Sequence, residues 1–497
     1  MIRLLNLGPA KHEKVAIYAV NQRILNVCRI VGAACSGTIH RHQLGTKGGK
    51  QMSKDMTRGK PLGLILKFFI PVLLGSLFQQ FYSMVDTIVV GKFVGVNALA
   101  GVGATGSINF LILGFAMGIT IGFGVKVGLR FGAKDYEGMR NYVANGLYLI
   151  IIISAIMTPL TMYFCKDILE LTGTPEEIFS DSYNYLIWIL AGTFFSMLYN
   201  ATSAILRAIG DSRTPLFVLL FSSVLNIILD LLFVLAFHMG TTGVAVATVA
   251  SQGISGILCL FYMFWHYEEL RIRKEEFRVS LEKMAALLKQ GIPMALQFSI
   301  TAVGGVILQS AVNSLGSVSV AAMTAGNKIS FIFSSAFESM GTTMATYCSQ
   351  NLGAKEYGRI RKGIRCACLI SGCLCVFSFA VVWLAGRYIA LLFIDAGEME
   401  LMGQIQLFLR VISSFYPFLI LIFILRNSLQ AMGYSFIAMF AGVFELVGRA
   451  SVAFGLVGKL GFLGVAFASP AAWVLADVIL ITTYFSVVRK FPQEDIK

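Results

Sequence analysis

Twelve apolar stretches, each long enough for a helix to cross a bilayer, dominate the chain: 64–90, 98–124, 141–164, 182–206, 214–238, 243–266, 286–313, 319–348, 363–385, 402–425, 433–456 and 462–487. A span needs about 20 mostly apolar residues, and inside lipid every backbone polar group must bond within its own segment, so these stretches read as helices. A membrane barrel would show short alternating segments instead, and the sequence has none. Composition agrees. Of 497 residues, 57% are hydrophobic and 13% charged, with a mean hydropathy of +0.76. A soluble domain carries about 25% charged residues to cover its surface. Disorder, collagen and a disulfide scaffold are excluded, and an all-α integral membrane protein remains.

The charges orient the spans. Alternate connections carry 25 Lys and Arg on one side, against Lys92, Lys166, Arg387 and Lys459 on the other. Arg426, just after the tenth stretch, is counted on the basic side. Cytoplasmic connections collect Lys and Arg, so both termini are expected in the cytoplasm. The net charge of +14 therefore reads as loop asymmetry, and nucleic acid is not an expected partner. Residues 1–57 form a basic extension. Within 1–51 eight Lys and Arg face Glu13 alone and no long apolar run occurs. The short VAIYAV run and Arg29 argue against a signal-peptide core, and no apolar region precedes Cys35 as a lipoprotein site would require. The extension reads as a disordered tail or an over-extended start, with Met52 opening a natural beginning.

The sequence repeats internally. GAKDYEGMR at 132–140 returns as GAKEYGRIR at 353–361, and GVNALAGVGA at 95–104 aligns with GSVSVAAMTA at 316–325, both 221 residues on. LRAIGDS at 206–212 returns as LQAMGYS 223 residues later, and GTTGVAVAT at 240–248 aligns with GFLGVAFAS at 461–469. The expected organisation is a six-helix bundle over 58–266, a polar cytoplasmic linker over 267–285, a second six-helix bundle over 286–488 and a cytoplasmic tail over 489–497. Six spans per copy keep the copies parallel, and substrate sites usually lie between such halves, which points to a transporter.

Several motifs carry no chemistry here. Gly101, Gly103 and Gly106 match G-x-G-x-x-G, but they open a membrane helix, and small residues there serve close helix contact. GTKGGKQ at 45–51 is too short for a phosphate loop and has Gln where Ser or Thr belongs, so no ATP is expected. Cys366, Cys368, Cys373 and Cys375 cluster in CACLISGCLC, yet Cys serves well as a small packing residue in lipid. His12, His40 and His42 lie in the tail, and His238 and His266 at span ends, so no metal cluster is expected.

Charges inside spans are costly, about 2.5–3.5 kcal/mol each at a helix centre, and call for a partner or a wet cavity. Five acids and three bases qualify: Asp86, Asp230, Glu338, Glu445, Asp477, Lys328, Arg410 and Arg449. Glu445 and Arg449 stand four apart on one helix and can pair directly. Asp86 and Asp230 have no base within a turn. Asp86 follows Gln79, Gln80 and Tyr82 on a helix expected to break at Pro71, and Asp230 follows Asn226 by one turn. Such carboxylates can exchange protons, or hold Na⁺ with neighbouring oxygens; the alternative is a neutral Asp bonded to helix backbone.

The set MVDTIVVGKFVGVNALAGVG, LRFGAKDYEGMR, AILRAIGDSRTPLF, NIILDLLFV and GVAVATVASQ, with the doubled architecture, resembles the multidrug and toxic compound extrusion (MATE) family over about residues 58–490. The resemblance implies two six-helix bundles around a central cavity, and export of organic, often cationic compounds coupled to inward H⁺ or Na⁺, with no other cofactor. It implies that Asp86, Asn226, Asp230 and Thr248 couple the ion, that Gln79, Tyr82 and Gln252 line the cavity, and that Pro71 is a bending point. Glu338, Glu445 and Arg449 are secondary candidates. Some Na⁺-coupled members carry a glutamate ten residues after the glycine of G-x-P; counting from Gly291, that place is Thr301, which puts a cation site of that kind in doubt. Expected partners are small organic substrates and the lipid bilayer, with the chain acting as a monomer. Two other readings stay open: a lipid-linked oligosaccharide flippase of related fold, and a membrane-embedded enzyme, for which no cluster of nucleophile, base or metal ligands is seen.

Overall fold

A computed structural model of the protein describes residues 55–391 and 398–492. The basic stretch 1–51, with Cys35, GTKGGKQ, three of the histidines and the Met52 start, and the last five residues lie outside them. No strand occurs among the described residues, which form seventeen α-helices in sequence. In the first half these are α1 (Pro61–Val89), α2 (Val96–Ala104), α3 (Gly106–Gly132), α4 (Tyr136–Tyr163), α5 (Cys165–Leu171), α6 (Glu176–Ala191), α7 (Thr193–Ala208), α8 (Arg213–Leu231) and α9 (Gly240–His266). In the second they are α10 (Leu281–Asn313), α11 (Ser317–Gly353), α12 (Tyr357–Ala390), α13 (Met399–Ser414), α14 (Tyr416–Ala431), α15 (Ser435–Gly455), α16 (Val457–Leu460) and α17 (Phe462–Arg489).

Among the described residues nine helices are long and apolar enough to span a membrane, and two further pairs, α6–α7 and α13–α14, qualify as bent spans, giving eleven. The expected span over 319–348 lies within α11, which has the length but falls short in apolarity. Many of its polar residues, Ser335, Ser339, Thr343, Thr346, Ser349, Gln350 and Asn351 among them, are buried against other helices. A helix shielded by protein can carry hydroxyls and amides that one facing lipid cannot.

The repeat is written into the backbone. The two bent pairs break at Gly192 and Phe415 and each turns by 51°. Lys134 and Lys355, in the repeated GAK motif, both take the left-handed conformation at φ 59° and 60°. Gly240 and Gly461 do the same at φ 58° and 57°, opening α9 and α17. Asp135 starts α4 by accepting from Gly138 N at 2.8 Å, an N-cap that satisfies one free donor of the first turn.

Glycines let the halves meet. A Cβ on Gly122 of α3 would fall 2.6 Å from Gly291 Cα of α10, and one on Gly118 would meet Ala295 backbone. Farther along, Gly132 lies against the Gln350 carbonyl and Gly353 against the Leu129 carbonyl. Gln350 Nε2 also donates to Ala208 O at 2.7 Å, and its Oε1 accepts from Met56 N at 2.9 Å. Of the G-x-G-x-x-G glycines, Gly101 makes such an approach: its Cβ would lie 2.9 Å from Asp181 Cβ, and its carbonyl accepts from Ser182 Oγ at 3.1 Å.

The polar linker is anchored outside the helices. Arg140, at the start of α4, donates from Nε to Glu276 Oε1 at 2.8 Å and Oε2 at 2.7 Å, and its Nη2 lies 2.6 Å from Oε1. Burial pushes the Glu276 carboxyl up, but the Arg140 guanidinium outweighs it and leaves Glu276 below the ordinary glutamate range. Asn145 Oδ1 accepts from Ser280 N, at the next helix start.

Candidate functional site

The carboxylates of the first half converge from two helices onto an amide. Asn226 and Asp230, four apart on α8, share a face, and both are 0% exposed. Oriented with its nitrogen toward the acids, the Asn226 amide donates to Asp86 Oδ1 at 2.9 Å and to Asp230 Oδ2 at 3.2 Å, and its oxygen accepts from Thr248 N at 3.3 Å. Asp86 comes from α1 and Thr248 from α9, so the amide ties three helices together. Asp86 lies beside Asp230 and Tyr82, and Tyr82 beside Thr248. Tyr185 of α6 also stands near both acids.

Two features suit this group to binding an ion. Asp230 Oδ1 is buried and accepts no hydrogen bond, and no Lys or Arg stands among the electrostatic neighbours of either acid. Two adjacent carboxylates in a poorly solvated place repel when both are charged. A proton or a monovalent cation between them removes the repulsion and fills the open oxygen. The backbone around them is also irregular. α1 runs on, four residues after Asp86, into a π turn over Val90–Val94, and α8 runs, two residues after Asp230, into a second over Leu232–Ala236. Such turns leave a helix hydrogen bond out of register and recur at functional sites.

The other sequence candidates sort differently. α1 continues unbroken through Pro71; the expected break is absent there, because the helix absorbs one missing donor and the irregularity falls at the π turn instead. Gln252 accepts from Ser196 Oγ at 2.6 Å, and Gln79 of α1 is exposed. Glu338 stands on α11, and its neighbour Ser339 donates to Ser76 Oγ of α1 at 3.1 Å. Arg426 is no loop residue. It lies inside α14, 6% exposed, and its guanidinium bonds Glu445 of α15. Arg449, the expected partner of Glu445, is at 3.7 Å, and its Nη1 approaches the Thr301 carbonyl at 3.5 Å over Gly304. Asp477 of α17, 2% exposed, neighbours Arg426. Arg426 escaped sequence reading because it falls one residue beyond the tenth apolar stretch; its sign hid it among loop charges.

Two repeated bundles of long apolar helices, with buried carboxylates converging from several of them, define a helical membrane transporter of small molecules. The MatE family model matches the chain twice, over residues 71–232 and 293–454, once in each half. The chain belongs to the MatE family of multidrug efflux transporters and is not an enzyme. It is 29% identical to a probable multidrug resistance protein, YpnP, of Bacillus subtilis, over 76% of this chain and 84% of that one. It is 27% identical to a second from the same organism, YoeA, over 86% and 94%. Among solved structures, a MATE transporter in the outward-facing conformation superposes with a TM-score of 0.83 at 22% identity, over 89% of this chain and all of that one. The fold is therefore the two-lobed repeated fold of these transporters.

Proposed function

We propose that the chain is a secondary antiporter that exports organic, often cationic compounds in exchange for H⁺ or Na⁺. Asp86, Asn226, Asp230 and Thr248 form its coupling site, with Tyr82 and Gln252 toward the substrate path. The observation that carries this reading is the Asn226 amide held between buried Asp230 and half-buried Asp86 from different helices, with one Asp230 oxygen left open. A cation that fills the site removes its negative charge, and a cationic substrate prefers the site empty. Ion and substrate then exclude each other, which is the thermodynamic requirement for exchange. The chain works alone, without ATP, with both termini in the cytoplasm. Basic residues still favour that side once Arg426 is removed from the count.

The test is dye efflux from everted vesicles under a pH gradient and, separately, under a Na⁺ gradient. The gradient that drives efflux identifies the ion. Asp86→Asn and Asp230→Asn are each expected to abolish it while leaving expression and melting temperature unchanged. Wild-type efflux from both variants would remove the coupling role from this site.

A further inference from the structure

The second half buries a polar group of a different kind. Arg426 on α14 bonds Glu445 on α15, and Arg449, one turn on from Glu445, stands at 3.7 Å from the same carboxylate. Two bases thus serve one acid. Asp477, on α17, is the remaining acid of the group. It is 2% exposed, and neither of its carboxylate oxygens accepts a hydrogen bond. Arg426 is its charged neighbour, and the Arg426 Nε is itself a buried donor without an acceptor. An open donor and two open acceptors thus belong to one buried group, while the guanidinium is turned to Glu445.

A buried carboxylate with neither a hydrogen bond nor an ion-pair contact is among the costliest arrangements a protein can hold. Na⁺ does not solve the problem, because it needs several oxygen ligands and this carboxyl has a guanidinium for its charged neighbour. A proton does. The elements packed on α17 are α10, α13, α14, α15 and α16. Beyond Arg426, Glu445 and Arg449, they carry Glu282, Lys283 and Lys289 on α10, Glu400 and Arg410 on α13, and Lys459 on α16, none of which borders the Asp477 carboxyl.

We propose that Asp477 is a proton-binding site of the second half, filled when Arg426 is engaged with Glu445 and emptied when Arg426 turns to Asp477. On release the proton passes to water, Asp477 becomes the partner of Arg426, and Glu445 keeps Arg449. The charge of the group falls by one, and no other reactant is needed. α14, α15 and α17 are tied by Arg426 in two alternative ways, so the exchange couples protonation to their packing. The proposal stands apart from the first-half coupling site: it concerns other residues, and its test reads proton binding directly.

The test is infrared difference spectroscopy of the purified full chain in phosphatidylcholine vesicles, in H₂O and D₂O, on a step from neutral to alkaline pH. The wild type is expected to lose the band of a neutral carboxyl group on the step. Asp477→Asn removes that band, and Asp86→Asn with Asp230→Asn leaves it in place. Glu445→Gln frees Arg426 and removes the band already at neutral pH, whereas Arg426→Gln keeps it there. If Asp477→Asn fails to fold, Asp477→Glu, which retains the carboxyl, is expected to shift the band. A spectrum in which none of these changes touches a neutral carboxyl band would overturn the site. A band that survives Glu445→Gln would overturn the arginine exchange.

Discussion

The two halves share helix order, left-handed turns and the 51° bend, yet they bury polar groups of opposite character. By the offset that aligns LRAIGDS with LQAMGYS, Asn226 corresponds to Arg449, and by the offset of the GAK motif Asp86 corresponds to Ile307. The first half thus places an amide between two acids, and the second a pair of bases around one acid with another beside them. The irregular backbone follows the same division: among the described residues the two π turns both fall in the first half, on the helices that carry Asp86 and Asp230. The buried core divides likewise. Most of the second half, joined by the start of α1, forms one continuous cluster, whereas the first half is split into four, one of which takes in Met284, Leu287 and Ala295 of α10. A repeated fold fixes where helices run. It leaves each copy free to place charge differently.

This comparison is open to breaking. Arg426→Met is expected to have the largest effect on stability. It leaves the buried Glu445 with only the more distant Arg449, and losing one member of a buried charge group costs about 3–5 kcal/mol. A thermal melt in detergent reads this as a lowered midpoint. Next is the ion pair outside the membrane. Arg140→Gln is expected to cost about 3 kcal/mol, at the lower end for a buried pair, because the linker borders water. Its pH dependence has a definite sign. Glu276 in the fold lies below its unfolded value of about 4.3, so its contribution is present above that value and is lost as the pH falls through the folded one. Wild type and Arg140→Gln should therefore converge in acid, and a difference that persists there would mean the pair acts through packing.

The smallest effect is expected from Asn226→Ala, about 2 kcal/mol, the scale of a hydrogen bond to a charged group. Removing the amide also leaves the acids to repel, so gradient-driven efflux should fall, and the melting midpoint should drop less than in the other two variants. If Asn226→Ala proved more destabilising than Arg426→Met, the first half would be the tightly bound one and the comparison would reverse.

Much of this was legible in the chain. Apolar runs of span length, the GAK and LRAIGDS repeats and the spacing of Asn226 and Asp230 one turn apart are local patterns, and local patterns survive without coordinates because helix periodicity alone puts residues four apart on one face. The length and apolarity of the spans therefore announced an all-helical membrane protein of two copies. What the sequence could not decide is which distant residues touch. That Asn226 reaches Asp86 across from α8 to α1 depends on how three helices cross. That Arg426 belongs to Glu445 depends on α14 lying against α15, and a residue one position past an apolar run reads as a loop charge until its burial is known. Pro71 shows the same limit in reverse: proline removes one helix bond wherever it stands, but whether the helix ends there is decided by the packed molecule, and α1 runs on through it. Side-chain chemistry and periodicity are properties of the chain, whereas partnership and burial belong to the packed molecule.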